Sequence, residues 1–362
     1  MNLYSGYNRY QIKKNEGWYR AFALLLPSFF VFLGGDMLID THYDLLTIAY
    51  LSYLKNDYRY LQKISNYFNS NNVSSVIANL YFMSRDEMRQ ELHPNYYQDN
   101  ISVLQMFQIS KKILESHLKN TDILYSIEGA DYINDEFELE QLYNAGLNCL
   151  ILTWNTKSKY GSGNRSDIGL TDEGKIILKK AIDLNLGIDL SHANEKTFDD
   201  MIEVIKNEKK YNDVCCYASH SNSRSICNRK RNLSDEQLFK IASVGGLVGV
   251  FSNRNFIMPP DSVYMSDQKL KNDTYLEHIK YVSSIVGLSN VMVATDDMGF
   301  CSNYDEEYKY TQIYDYSTVR KSIYNNLKRE YNNEETYNIM YRNAKEKIFE
   351  KIRKNQKSKG GK

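Results

Sequence analysis

Asp40-Thr41-His42-Tyr43-Asp44 closes a short apolar run, Met37-Leu38-Ile39. On an extended strand residues two apart share a face, so Asp40, His42 and Asp44 are expected to point the same way. An imidazole and a carboxylate would then converge at a strand's end, the donor types that suit a borderline divalent metal. Of the six histidines, His42, His192 and His220 follow β-rich apolar runs, whereas His93, His117 and His278 fall on loops or helices. Glu128 and Asp296 close two further runs of the same kind. A lone histidine beside an apolar strand is more often a hydrogen-bonded structural group than a ligand. Three of them, with Asp44, Glu128 and Asp296 at equivalent ends, reverse that balance.

Gathered carboxylates raise one another's pKa and resist burial. Divalent cations remove the conflict. Three imidazoles and three carboxylates are enough for two Zn²⁺ ions with positions left open for water. Metals about 3.5–4 Å apart can share a hydroxide that is nucleophilic at neutral pH, and Glu128 has the two oxygens needed to bridge them. Just beyond His220 lies a basic loop with Arg224, Arg229, Lys230 and Arg231. An arginine here could clamp a substrate carboxylate through its planar fork, and position alone does not choose among the three.

These residues need a scaffold that brings distant strand ends together. Candidate strands fall at 37–42, 73–83, 123–128, 149–154, 187–192, 214–220, 246–251 and 291–296. Amphipathic helical stretches lie between them at 47–61, 100–118, 171–184, 195–206, 234–243 and 273–286. Ser234 is an expected N-cap, and Gly187 and Gly287 stand where helices should end. Eight alternating β/α units predict an α/β protein, a closed (β/α)8 TIM-like barrel of the metal-dependent hydrolase type. Such barrels place their chemistry at the C-terminal strand ends, where the polar residues of this sequence stand.

Lysine plus arginine and aspartate plus glutamate both number 45, and no basic surplus points to a nucleic-acid partner. The five cysteines match no zinc-knuckle spacing and read as reduced thiols of a cytoplasmic protein. Residues 21–35 form an apolar stretch behind Lys13, Lys14 and Arg20, which resembles a signal or anchor segment. The stretch is short for a bilayer span and interrupted by Pro27. An apolar segment packed on the domain, or an extension upstream of a domain that starts at Met37, is therefore preferred to export. The expected organisation is an N-terminal extension over 1–36, a hydrolase barrel over 37–350 and a basic flexible tail over 351–362.

Taken together, Asp40-Thr41-His42-Tyr43-Asp44, Ile127-Glu128-Gly129, Leu152-Thr153, Asp189-Leu190-Ser191-His192, Ala218-Ser219-His220-Ser221, Arg231-Asn232 and Thr295-Asp296-Asp297-Met298-Gly299 resemble the membrane (renal) dipeptidase family, peptidase family M19 of the amidohydrolase superfamily. The resemblance implies that His42 and Asp44 bind one zinc, that His192 and His220 bind the other, and that Glu128 bridges them. It implies two Zn²⁺ per chain, Asp296 as the catalytic proton carrier with Asp297 in reserve, and Arg231 as the clamp on the substrate's carboxylate. Asp40, beneath the ligands, is expected to support them from behind.

Two positions depart from the family. Trp154 stands where mammalian members carry a histidine, with Asn155 as a replacement donor, so both are assigned to substrate binding. Met298 stands where the family often has a second aspartate. The implied activity is zinc-dependent hydrolysis of dipeptides with a free C-terminal carboxylate by a metal-bridging hydroxide, in a homodimer. The alternatives are a related binuclear amidohydrolase acting on N-acyl amino acids or a modified peptide, and a catalytically impaired zinc-binding homologue.

Overall fold

The computed structural model describes residues 37–71, 73–81, 101–208, 213–259, 267–296 and 319–359. The apolar stretch 21–35, His93 and the run Asp297-Met298-Gly299 lie outside the described residues. Eight strands, Leu38–Tyr43 (β1), Val73–Tyr81 (β2), Asp122–Glu128 (β3), Cys149–Ile151 (β4), Gly187–Asp189 (β5), Cys216–Ala218 (β6), Leu247–Phe251 (β7) and Val291–Ala294 (β8), pair in chain order. Every neighbouring pair is parallel. Parallel neighbours need crossovers, and helices such as Val103–His117, Glu136–Asn144, Asp172–Asp183, Glu195–Asn207, Asp235–Ser243 and Gln268–Val286 supply them. The ring closes between β8 and β1, where the Asp296 N–H donates to the His42 carbonyl at 3.0 Å. The Thr41 hydroxyl lies 2.9 Å from the carbonyls of both Val293 on β8 and Ser219 beyond β6. This is the (β/α)8 barrel that the sequence predicts.

Burial divides the barrel into layers. Leu46, Val76, Ile127, Phe198 and Ile279 belong to the large apolar cluster that joins strands to helices. Inside the ring, Ile39, Ile77, Leu124, Cys149, Tyr217, Leu247 and Met292 form a second cluster with Ile348, Phe349 and Ile352 from the C-terminal helical segment. The lysine-rich end, expected to be a flexible tail, is helical over Lys351–Lys359, and Ile352 is fully buried. Burying Ile352 and Phe349 stabilises the fold by about 1.5–3 kcal/mol each, which favours order in an otherwise charged segment. Two residues further along the strands the interior turns polar, with Thr41, Asn79, Ser126 and Ser219 all buried. The metal-ligand types lie beyond this layer, at the end opposite the plug.

Local chemistry moves some expected boundaries. The single helix expected over 47–61 is two, Leu45–Lys55 and Arg59–Ser70, because Asn56 adopts a left-handed φ of 49° and Asp57 Oδ1 accepts the Arg59 N–H. Asn185, with φ of 57°, takes the left-handed position expected of Gly187. Gly187 instead opens β5, where a Cβ would stand 2.8 Å from Ile352 Cδ1. Gly287 ends its helix at φ of 82°, and Ser234 caps Asp235–Ser243 in a capping box with Gln237, both as expected.

Close approach also fixes Gly249 on β7. A Cβ there would sit 1.8 Å from the Ser219 carbonyl oxygen and 3.0 Å from Thr41 Oγ1. Because backbone must move to admit it, Gly249→Ala is expected to destabilise the protein by about 3 kcal/mol, the upper end of core overpacking. A thermal midpoint unchanged in the variant would contradict this contact.

Candidate metal centre

Each ligand-type residue stands where a strand runs out. His42 is the penultimate residue of β1 and Asp44 follows that strand; Glu128 ends β3; His192, His220 and Asp296 come two or three residues after β5, β6 and β8. Strict alternation does not survive at the end of β1, where the register against β2 shifts between Asp40 and Tyr43. Thr41 therefore reaches into the barrel while the next residue, His42, still reaches the centre. His192 and Asp296 both take left-handed backbone, φ of 69° and 53°. This conformation is unfavourable for non-glycine residues and requires support from its surroundings.

Two buried carboxylates supply that support. Asp40 Oδ1 accepts the N–H of His42 (3.3 Å) and of Thr295 (2.9 Å), and Asp40 Oδ2 accepts the Thr295 hydroxyl at 2.6 Å. Asp189 Oδ1 accepts the N–H of Ser191 (2.9 Å) and of Ser219 (3.0 Å). Each aspartate turns its own strand end and ties it to that of a neighbouring strand. Burial raises the Asp40 carboxyl to about 6 against the opposing bonds from Thr295 and His42. Asp40 thus braces β1 and β8, and through them Asp296, rather than bonding a ligand ring.

The centre itself is compact. His42 Nε2 lies 3.0 Å from Glu128 Oε2, 3.7 Å from Asp296 Oδ1 and 3.8 Å from Asp44 Oδ1. His192 Nε2 lies 2.8 Å from Glu128 Oε1 and 2.9 Å from His220 Nε2. Three sets, His42–Asp44–Glu128, Glu128–His192–His220 and His42–His220–Asp296, each bring one donor atom per residue within 4.8 Å. All six side chains are buried except Asp296, which is 21 % exposed. The donor set fits borderline divalent ions, with Glu128 common to the two sets that together use all five expected ligands.

The residues expected to face substrate lie around this centre. Arg231 is buried, donates to the Ser221 hydroxyl (3.1 Å) and the His220 carbonyl (2.9 Å), and lies over the Phe251 ring. Burial lowers its pKa to about 10 against the attraction of Asp296 and Glu128, so it stays cationic at neutral pH. Arg224, by contrast, pairs with Glu195 towards solvent. Trp154 packs edge-on against Tyr81 at 5.1 Å and lies 6.4 Å from His192, with Arg165 over its ring. Asn155 was expected to face substrate, but its Oδ1 accepts from Asn164 Nδ2 at 2.8 Å and lies 2.9 Å from His192 Nδ1. That oxygen is therefore engaged with the His192 ring.

Sequence reading gave no role to Asn79 or Ser219, both of which contact the Nδ1 side of His42. The available signal was a polar residue inside an otherwise apolar strand, Val-Ile-Ala-Asn-Leu. His278, unassigned by sequence, accepts the Ser223 N–H and donates to the Ile257 carbonyl. It holds the start of the loop that carries Arg231.

An eight-stranded parallel barrel with an imidazole–carboxylate centre at its C-terminal rim defines the metal-dependent hydrolase class. The chain belongs to the membrane dipeptidases, peptidase family M19, whose sequence pattern matches residues 52–360. It is 33% identical over 179 residues to an uncharacterised protein of Klebsiella pneumoniae encoded in a pqqA 5′ region, a match covering 47% of this chain and 62% of that protein. An uncharacterised dipeptidase of Schizosaccharomyces pombe is 25% identical over 181 residues, 48% of this chain and 41% of the relative. The chain thus spans roughly half the length of the curated relatives it matches. In structure it is similar to a metallopeptidase from Rhodobacter sphaeroides bound to a phosphinate mimic of L-Ala-D-Ala, with a TM-score of 0.62 at 17% identity, covering 87% of this chain and 98% of the other. No helix among the described residues is long and apolar enough to cross a membrane.

The charges around the histidines predict how the metal-free protein responds to pH. Burial opposes the charge on His42, but Glu128, Asp44 and Asp296 outweigh it and raise its pKa to about 10. That stability is fully present below the unfolded value near 6.5 and is lost as pH rises towards 10. Burial, then Arg231, lowers His192 to about 4, so its contribution is present above 6.5 and is lost as pH falls towards 4. Chelated protein is therefore expected to be most stable near pH 6.5, with the His192 side amounting to roughly 3 kcal/mol by pH 4. A thermal midpoint that stays flat from pH 4 to pH 10 would refute this balance.

Proposed function

We propose that this protein is a zinc-dependent dipeptidase that hydrolyses short peptides with a free C-terminal carboxylate. The observation that carries the reading is the gathering of His42, Asp44, Glu128, His192 and His220 into two donor sets that share Glu128, with buried Arg231 alongside. Two Zn²⁺ ions held by these five residues would supply a water-derived nucleophile at neutral pH and polarise the peptide carbonyl. Glu128 offers one oxygen to each half of the centre, towards His42 and towards His192. Asp296, partly exposed at the rim, takes the proton of the attacking water and delivers it to the departing amine. Arg231 uses two of its directions on Ser221 and the His220 carbonyl, and its remaining donors receive the substrate carboxylate. Trp154 forms the wall against the acyl part of the substrate and donates through its indole N–H.

The test is a substrate panel with the metal-loaded protein. Free dipeptides should be cleaved, and the same dipeptides amidated at the C-terminus should lose at least about tenfold in kcat/KM, because a charge-assisted bond to Arg231 is gone. Preferred cleavage of N-acyl amino acids over all dipeptides would replace this reading by the related amidohydrolase, favoured by the bulk of Trp154. Stoichiometric zinc without turnover on either class would identify a binding homologue.

A further inference from the structure

The ligand rings expose a second arrangement behind the centre. The His42 and His220 rings stack at 3.6 Å between centroids, tilted by 31°, which brings their Nδ1 edges to the same side. Between those edges sits one hydroxyl. Ser219 Oγ lies 2.8 Å from His220 Nδ1 and 3.2 Å from His42 Nδ1, and Ser191 Oγ is 3.5 Å further on. Ser219 is fully buried, and its N–H is fixed by Asp189 Oδ1 at 3.0 Å while its carbonyl is packed against Gly249 and Thr41. The side chain has little freedom to face elsewhere.

A ring that binds metal through Nε2 must carry its proton on Nδ1, and the acceptor opposite that proton sets both tautomer and orientation. A hydroxyl can accept two hydrogen bonds and donate one. We propose that Ser219 is a positioning residue shared by the two halves of the centre. Its oxygen accepts Nδ1–H from His42 and from His220, and its own proton goes towards Ser191. In the binuclear reading given above, on which this inference rests, His42 and His220 serve different metals. One buried hydroxyl thus holds a ligand of each, and the two sites are tied together behind the metals as well as through Glu128 in front.

His192 has a separate support. Its Nδ1 meets Asn155 Oδ1 at 2.9 Å and has no contact with Ser219. Asn79 is the competing partner of His42: its Nδ2 lies 3.1 Å from His42 Nδ1, and its Oδ1 is buried without a partner. If the amide is turned over, Asn79 Oδ1 could accept the same proton. The difference between shared and separate support is therefore measurable.

The experiment is zinc binding by the full chain, titrated against a chromophoric chelator, with the thermal midpoint of each metal-free variant recorded to confirm folding. Ser219→Ala is expected to weaken both zinc equivalents by about 10–100-fold, the usual loss when a ligand's outer partner is removed. Asn155→Ala should weaken one equivalent only, and Ser219→Thr, which keeps the hydroxyl, should restore the affinity lost in Ser219→Ala. In zinc-loaded wild-type protein, proton NMR with ¹⁵N-labelled histidine should show slowly exchanging Nδ1–H signals for His42 and His220. Wild-type affinity in Ser219→Ala overturns the inference, as does a loss confined to one equivalent, which would assign His42 to Asn79. An Nδ1-metallated His42 or His220 in the wild-type spectrum overturns it even if the alanine variant does not fold. Failure of the wild-type protein to bind zinc at all defeats the underlying metal reading instead.

Discussion

Glu128→Gln is expected to lower dipeptide hydrolysis by at least about 10³-fold, with loss of bound metal. Glu128 meets imidazoles from both halves of the centre, through Oε2 at 3.0 Å from His42 and Oε1 at 2.8 Å from His192. Burial alone would raise its pKa, yet His42 and then His192 hold it well below the usual carboxylate range, so it enters the centre as an anion. An amide keeps the shape and removes the charge. It also presents an NH₂ where a cation should be met. Loss of several kcal/mol of Lewis-acid stabilisation corresponds to about three powers of ten or more in rate. His192→Ala and exhaustive chelation should have the same consequence by removing a ligand or the ions themselves. Metal content by atomic spectroscopy, measured beside activity, decides the matter: a Glu128→Gln protein that retains two metals and full turnover would remove Glu128 from the centre.

Asp296→Asn is expected to reduce kcat by about 10²–10⁴-fold while KM and the two metal equivalents stay close to wild type. The choice of asparagine is dictated by the backbone, because Asp296 has φ of 53° and asparagine is among the few residues that accept this region readily. Its N–H can still reach the His42 carbonyl, so the closure of β8 on β1 is preserved. What disappears is the ability to take a proton. The geometry also offers a rival role, since Asp296 joins His42 and His220 in one of the three donor sets. The two roles separate cleanly: a proton carrier loses turnover with metal intact, whereas a ligand loses both together. A variant with unchanged kcat would eliminate both.

The barrel was legible because its signals are local and repeated. Apolar runs recur eight times, and the polar residues that close six of them fall where parallel strands deliver their C-termini. Ligand types at those ends could be read without coordinates, since Asp44, Glu128, His192, His220 and Asp296 are chemically conspicuous beside Val, Ile and Leu. Position and charge did not choose Arg231 over Arg224; the family resemblance did, and in the fold one arginine turns inward against His220 while the other meets Glu195 outside. Asn155 was legible as polar but not as a partner of His192, because a side chain's direction after a strand depends on turns that sequence periodicity does not encode.

By itself, then, the sequence determined the ring of strands, the end that gathers the polar residues and the candidate donor types there, since all of these follow from side-chain period and residue type. Only the tertiary structure decided what lies behind those donors: Asp40 locked to Thr295, Asp189 to Ser191 and Ser219, and the Ser219 hydroxyl set between two rings. It also turned a lysine-rich end into the helix that plugs the barrel floor. The reason is the same in each case. Apart from the local bonds of Asp189 to Ser191 and of Ser219 to His220, these contacts join residues from 30 to more than 250 positions apart, and their partners are fixed by closure of the barrel rather than by anything in the neighbouring sequence.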